Sequence, residues 1–154
     1  MSTQVDSKMV AVRSLEIMST GSRADFDAVI HPDATNREAR GEPPETRMRG
    51  PEGFHATALW LRTAFTDMRH EILHAADGDL VCLDTIMVGR QQGPFVIYTS
   101  EGEVDQVFPS SGKMFSVAQT HWVRIPESMV IEHWAARDDL GRAQQLGWLS
   151  MTPA

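Results

Sequence analysis

The sequence predicts an α+β domain spanning residues 1–154, with N-terminal helices packed on one face of a strongly curved antiparallel sheet. Three observations carry this. Up to Phe65 the apolar residues recur with helical spacing. Beyond it they fall in short runs rich in β-branched residues, separated by turn signals. A short capped helix then closes the pattern. With 42% hydrophobic and 23% charged residues, a 154-residue chain is one ordinary globular domain that buries a core of its own.

Ala11, Leu15 and Met18, with Val12 beside them, form the apolar stripe of a first helix ending at Gly21-Ser22. Ser22 and Asp25 are a capping-box pair opening a second helix, whose buried face is Phe26, Val29 and Ile30 and which Pro32 stops. Residues 32–50, punctuated by proline and glycine, read as loop. Pro51 suits the first position of a third helix, with Phe54, Ala58, Leu61 and Phe65 on one face. Residues 69–76 and 79–89 form a hairpin about the Asp77-Gly78-Asp79 turn. Its second strand, Leu80 to Val88, is apolar enough to be buried on both faces. Phe95 to Thr99 and Val104 to Phe108 flank another turn; Phe115 to Ile125 and Met129 to Trp134 are two more strands. Asp139 to Leu146 is the closing helix, with Gly147 at its C-cap. A bent sheet under helices encloses a pocket, the default place for a small ligand.

Composition excludes several function classes. Fourteen basic against 21 acidic residues give a net charge of −7, a poor match for nucleic acid. No apolar run is long enough to span a membrane, and the N-terminal residues carry no secretory signal pattern, so the expected compartment is the cytoplasm. The single cysteine, Cys82, can form neither an internal disulfide nor a cysteine-cluster zinc site.

His70-Glu71-Ile72-Leu73-His74 matches the H-E-x-x-H pattern of helical zinc sites. Its place before a turn and a strong strand makes it a strand instead. On a strand the two imidazoles stand about 13 Å apart, too far for one metal. No metal is expected, and the plainer reading is two sheet histidines.

The C-terminal residues carry a more specific pattern. Val130-Ile131-Glu132-His133-Trp134, then Asp138, Leu140-Gly141 and Gln144-Gln145-Leu146-Gly147, resemble the signature of the SnoaL-like polyketide cyclases, in the nuclear-transport-factor-2-like superfamily. Gly50-Pro51-Glu52-Gly53, Phe65 to His70, Gly78-Asp79, Gly93-Pro94-Phe95, Gly112-Lys113, His121 and Arg124 follow in that family's order. The resemblance implies a cone-shaped α+β barrel, usually a homodimer, with an apolar cavity at its wide end and no metal or organic cofactor. It also implies an intramolecular aldol ring closure on a hydrophobic carbonyl compound. A carboxylate of raised pKa takes a proton from a carbon flanked by carbonyls.

The chain departs from the family at several positions. Asn36-Arg37-Glu38-Ala39 replaces Asn-His-Glu-Ala, Asp84 stands where a basic residue is common, Gln91 and Gln92 replace a histidine, and residues 96–106 are extra. In the cyclases an aspartate follows the signature tryptophan and works with a histidine on the preceding strand. His121 matches that histidine, but the aspartate's position is Ala135. The candidate catalytic residues are therefore His121, Asp138 and Asp84. His121 is a pocket histidine or a plain wall residue. Asp138 is the pocket acid or the cap of the last helix. Asp84 is a relocated base or one half of an ion pair with Arg124 or another strand arginine. Asn36 at the mouth, and Trp60, Trp122 and Trp134 as flat surfaces, are candidate ligand contacts, with core packing the simpler role for each tryptophan. Residues 96–106 are expected as a strand extension or hairpin near the cavity mouth.

Two function classes follow. One is a small cofactor-free enzyme, a SnoaL-like cyclase or a relative that isomerises or hydrolyses such a compound. The other is a non-catalytic small-molecule-binding or dimerisation module on the same fold, a reading Ala135 favours.

Overall fold

The computed structural model describes residues 6–76 and 80–149. Among the described residues four α-helices and seven strands make the expected α+β fold, with one strand interrupting the N-terminal helices. They are α1 (Ser7–Thr20), α2 (Arg23–Val29), β1 (Ile30–Asn36), α3 (Gly50–Ala64), β2 (Phe65–Ala76), β3 (Leu80–Gln91), β4 (Phe95–Tyr98), β5 (Val104–Phe108), β6 (Met114–Arg124), β7 (Val130–Arg137) and α4 (Asp139–Leu146). Five strands form one sheet in the order β1-β7-β6-β3-β2, and β4 and β5 pair separately.

Local signals explain most boundaries. Ser22 and Asp25 form the reciprocal capping box of α2. Asp138 caps α4 by accepting from the Gly141 N–H, and Gly147 ends it at φ 77°. Gly53 lets α3 lie against the turn before it, because a Cβ there would stand 2.0 Å from the Met48 carbonyl oxygen. His70 and His74 lie in strand β2, paired with Met87 and Asp84 of β3, so the helical H-E-x-x-H geometry is not formed. The Asp77-Gly78-Asp79 turn falls outside the described residues.

Several expectations are corrected. The second helix stops at Val29, and Ile30 opens a strand rather than completing the helix. That strand pairs parallel with β7, so the sheet is mixed. Pro32 is tolerated there because β1 is an edge strand, where the missing N–H leaves no ladder partner unpaired. The rest of the expected loop holds two 3-10 turns, Ala39–Gly41 and Pro44–Arg47. Phe65 begins β2 instead of ending α3. β3 is not buried on both faces: Val81, Leu83, Thr85 and Met87 face the core, while Leu80, Cys82, Asp84 and Ile86 are half-buried on the outer face. The extra residues make the β4–β5 hairpin, held to α3 by the Trp60 Nε1–H donating to the Val96 carbonyl at 3.1 Å.

The core has two parts. One, around Phe26, Ile30, Phe54, Leu83 and Val123, joins α1, α2 and α3 to the sheet. The other, around Phe65, Phe95, Phe115 and Leu146, joins the far end of the sheet to β4 and α4. Among the described residues no helix is long and apolar enough to cross a membrane.

Candidate active site

Between the two core clusters the inner face of the sheet turns polar. Strict alternation along β6 sends Phe115, Val117, Gln119, His121 and Val123 inward. Gln119 and His121 open onto a cavity of about 70 Å³, roofed by Leu15 and Met18 of α1 and by Phe54 and Leu61 of α3. Asn36, Glu38, Glu42, His70, His133, Arg137 and Arg142 complete its polar side.

The histidines form a chain. Asn36 Oδ1 accepts the Glu38 N–H at 3.1 Å, which fixes it as an acceptor, and it stands 3.1 Å from His133 Nδ1. His133 Nε2 lies 2.9 Å from His121 Nδ1, and His121 Nε2 lies 2.9 Å from Gln119 Oε1. Three links thus join two carbonyl oxygens, but two neutral imidazoles carry only two N–H groups. The third link closes when the Gln119 amide turns its nitrogen to His121, or when the pair takes up a proton. Burial holds His133 down to about 3 and His121 well below the usual histidine range, so both rings are neutral near pH 7. Every ring nitrogen of this pair is engaged within the chain. His70, edge-on to His121 at 5.4 Å, differs: its Nδ1 is closed from solvent and has no hydrogen-bond partner, and burial lowers its pKa to about 4.

Two carboxylates border the cavity. Glu38 Oε1 accepts the Ala135 N–H at 3.0 Å, taking the bonding position beyond the end of β1, and Glu38 pairs with Arg137 at 3.3 Å. Glu42 is 4% exposed. Its Oε2 accepts the Thr57 hydroxyl at 2.6 Å, and burial pushes its pKa up against that hydrogen bond. A buried carboxyl with a raised pKa on a cavity wall is the chemical profile of a general acid/base.

The structure places the predicted residues unevenly. His121 and Asn36 are in the cavity wall, joined through His133. Asp138 is spent on the α4 cap. Asp84 lies on the outer face of the sheet, cross-strand from Thr120. Trp122 and Trp134 are also on that outer face, stacked on each other at 6.4 Å, with the Arg37 guanidinium 4.3 Å over Trp134. Ala135 pairs with His121 on the inward side. Trp60 lines a neighbouring chamber of about 220 Å³ between α3, the β4–β5 hairpin and α4. Glu42, Arg137 and Arg142 border both chambers.

Sequence reasoning missed Glu42, His133, Gln119 and Arg142 as site residues. Gln119 was legible as the inward neighbour of His121 at i−2, and Arg142 as the residue at i−4 from buried Leu146. Glu42 had no signal, since Gly41-Glu42-Pro43-Pro44 has the texture of a solvated loop. Among the described residues no three His, Cys, Asp or Glu side chains converge as metal ligands.

Fold and cavity together define a small α+β pocket protein whose polar groups gather at one end of an apolar chamber. The chain belongs to the SnoaL-like polyketide cyclase family, whose profile matches residues 8–146. It is 34% identical over 155 residues to the aklanonic acid methyl ester cyclase DnrD of Streptomyces peucetius, covering 99% of this chain and 97% of that one. The nogalonic acid methyl ester cyclase of Streptomyces nogalater is 28% identical over 131 residues, 84% of this chain and 88% of that one. Among solved structures, TsrD from Streptomyces laurentii superposes with a TM-score of 0.71 at 24% identity, covering 97% of this chain and all of that one. IdmH from Streptomyces antibioticus gives 0.65 at 20%, covering 92% and 98%. These two likenesses show the fold.

Proposed function

We propose that this chain catalyses an intramolecular aldol ring closure on a polyketide methyl ester, a substrate of the kind named for its relatives. The observation that carries the reading is Glu42, a buried carboxyl of raised pKa bordering the same cavity as His70 and the His121–His133 chain. The Glu42 carboxylate takes the proton from the carbon flanked by two carbonyls. The enolate carbon attacks a ketone carbon of the same molecule, forming one C–C bond. The resulting alkoxide takes its proton from the Glu42 carboxylic acid, so composition is unchanged and Glu42 is regenerated. We assign to His70, a lining residue whose Nδ1 has no partner, a hydrogen bond to the enolate oxygen in its N–H tautomer. His121 acts through His133 and Gln119 as a positioning residue. With Asp84 outside the cavity and Asp138 on a helix cap, Glu42 replaces them as the acid/base, and Ala135 leaves that role open to it.

We further propose a cytoplasmic homodimer formed through the outer face of the sheet, where Trp122 and Trp134 stand half-buried. Sedimentation at twice 17.2 kDa supports it, and a monomer at high micromolar concentration contradicts it.

The test of activity is incubation of the purified protein with aklanonic and nogalonic acid methyl esters. The reading expects a product of unchanged mass and altered retention, formed faster than in buffer. Saturable binding of either ester without conversion supports the non-catalytic binding module, which Ala135 favours.

A further inference from the structure

Glu42 sits where regular structure gives it little hold. It lies between the 3-10 turns Ala39–Gly41 and Pro44–Arg47, outside any strand ladder. Its own N–H reaches the Ala39 carbonyl at 3.3 Å, a long bond. A carboxyl that must meet one carbon of a substrate needs a fixed backbone, since a misplacement of about 1 Å can cost on the order of 10²-fold in rate.

Arg47 supplies that hold. Its Nη2 donates to the Arg40 carbonyl at 3.3 Å and to the Glu42 carbonyl at 3.4 Å. The same guanidinium reaches the tip of the β4–β5 hairpin, where Nη2 donates to the Thr99 carbonyl at 2.6 Å and Nη1 to the Ser100 carbonyl at 2.5 Å. Hydrogen bonds from a charged donor are the short, strong ones. Packing closes the same joint. A Cβ on Gly102, at φ 89°, would stand 2.8 Å from Pro44 Cγ, and one on Gly41 would stand 3.7 Å from Ile97 Cγ2. The hairpin therefore rests on the chain on both sides of Glu42. A staple that only held the hairpin down would have no use for the Arg40 and Glu42 carbonyls.

Two departures from the family meet here. Ala135 takes the acid off the sheet, and residues 96–106 are extra. An acid carried on an irregular turn needs support from outside that turn, and the extra hairpin is what this turn leans on.

We infer that the β4–β5 hairpin, acting through Arg47, positions the Glu42 carboxyl at the cavity, with Arg47 as the positioning residue. This rests on the cyclase reading for the rate alone; the hold on Glu42 is measured without turnover.

The first test is a double-mutant cycle in stability. In the wild-type background Glu42→Gln should raise the denaturant midpoint at pH 8, because it removes a carboxylate confined by burial. In the Arg47→Gln background the turn loosens, the carboxylate reaches water, and that rise should vanish. Arg137 and Glu38, the charged groups that act on Glu42, pair with each other at 3.3 Å rather than with Arg47, so both backgrounds keep them. A merely structural arginine would lower both midpoints and leave the shift between Glu42 and its Gln variant unchanged. Equal shifts in the two backgrounds, no shift in either included, overturn the inference. Gly102→Val pushes the hairpin tip off Pro44 and keeps Arg47. It should diminish the same shift, and an undiminished shift there overturns the inference even where Arg47→Gln does not fold. The second test is turnover of aklanonic acid methyl ester. Arg47→Gln should lower kcat at least about tenfold with KM within about threefold. A raised KM with unchanged kcat would make the hairpin a specificity element and overturn its positioning role. Non-additivity in a protein that converts neither ester sinks the cyclase reading and leaves the hold on Glu42 standing.

Discussion

Replacing Glu42 by Gln should make the protein more stable and less active at once. The substitution keeps the shape and an oxygen to accept the Thr57 hydroxyl, now 2.6 Å from Oε2, while removing the ionisable group. Burial raises the pKa of Glu42 above its unfolded value, so the folded state holds this proton more tightly than the unfolded chain does. Between those two pKa values the unfolded chain binds fewer protons, so stability falls as pH rises. The contribution is fully present below the unfolded pKa and is lost as pH rises through the folded one. Each pH unit by which the folded pKa is raised corresponds to about 1.4 kcal/mol, and the Gln variant escapes that loss. Denaturant titrations should therefore show the variant more stable than wild type at pH 8 and the two alike at pH 4. Loss of the general base should cut turnover by about 10²–10⁴-fold, equivalent to roughly 3–5.5 kcal/mol of transition-state stabilisation. A variant that turns over the ester at the wild-type rate refutes the assignment. A variant less stable than wild type at pH 8 refutes the account of a carboxyl strained by burial.

Three further outcomes are expected. Asp138→Ala removes the α4 cap and should cost about 1 kcal/mol in denaturant titration; with Asp84→Asn, which alters only the outer face, it should leave kcat within about twofold of wild type, whereas a loss of about 10²-fold in either would return that aspartate to the mechanism. His70, buried as neutral at about 4, and His133, at about 3, bind protons less well folded than unfolded. Their contribution is present above the unfolded pKa of about 6.5 and is lost as pH falls toward 4, so acid should lower the melting temperature, and His70→Phe should blunt that fall by an amount on the order of 3 kcal/mol. Gly53→Ala pushes a methyl into the Met48 carbonyl and should cost about 1–3 kcal/mol, measured by thermal unfolding; an unchanged melting temperature would show that the turn moves aside freely.

The parts of the fold legible in the sequence were those with local chemistry. Ser22 with Asp25, and Asp138 with Gly147, fix helix ends through their own backbone hydrogen bonds, and the resemblance in the last forty residues supplied the architecture. β1 was not legible, because a short edge strand containing Pro32 and Asp33, with only Ile30 and Ala34 buried, has the composition of a loop. Asp84 was misplaced for a related reason. Leu80, Cys82 and Ile86 make the outer face of β3 apolar too, which hides the period-two alternation that puts Asp84 outside. His121 and Asn36 line one cavity, but that His133 links them was not legible, since the Asn36–His133 contact joins positions 97 residues apart across the parallel β1–β7 pair. Glu42 is buried by Thr57 and the turn around it, a tertiary effect with no local signature.

The measurement that bears most directly on the central claim is a crystal structure of the protein with a methyl ester analogue that cannot cyclise. The account predicts the carbonyl-flanked carbon within about 3.5 Å of the Glu42 carboxyl and an oxygen beside His70. An analogue seated with its acidic carbon away from Glu42, or bound on the outer face near Asp84 and Trp122, would contradict it.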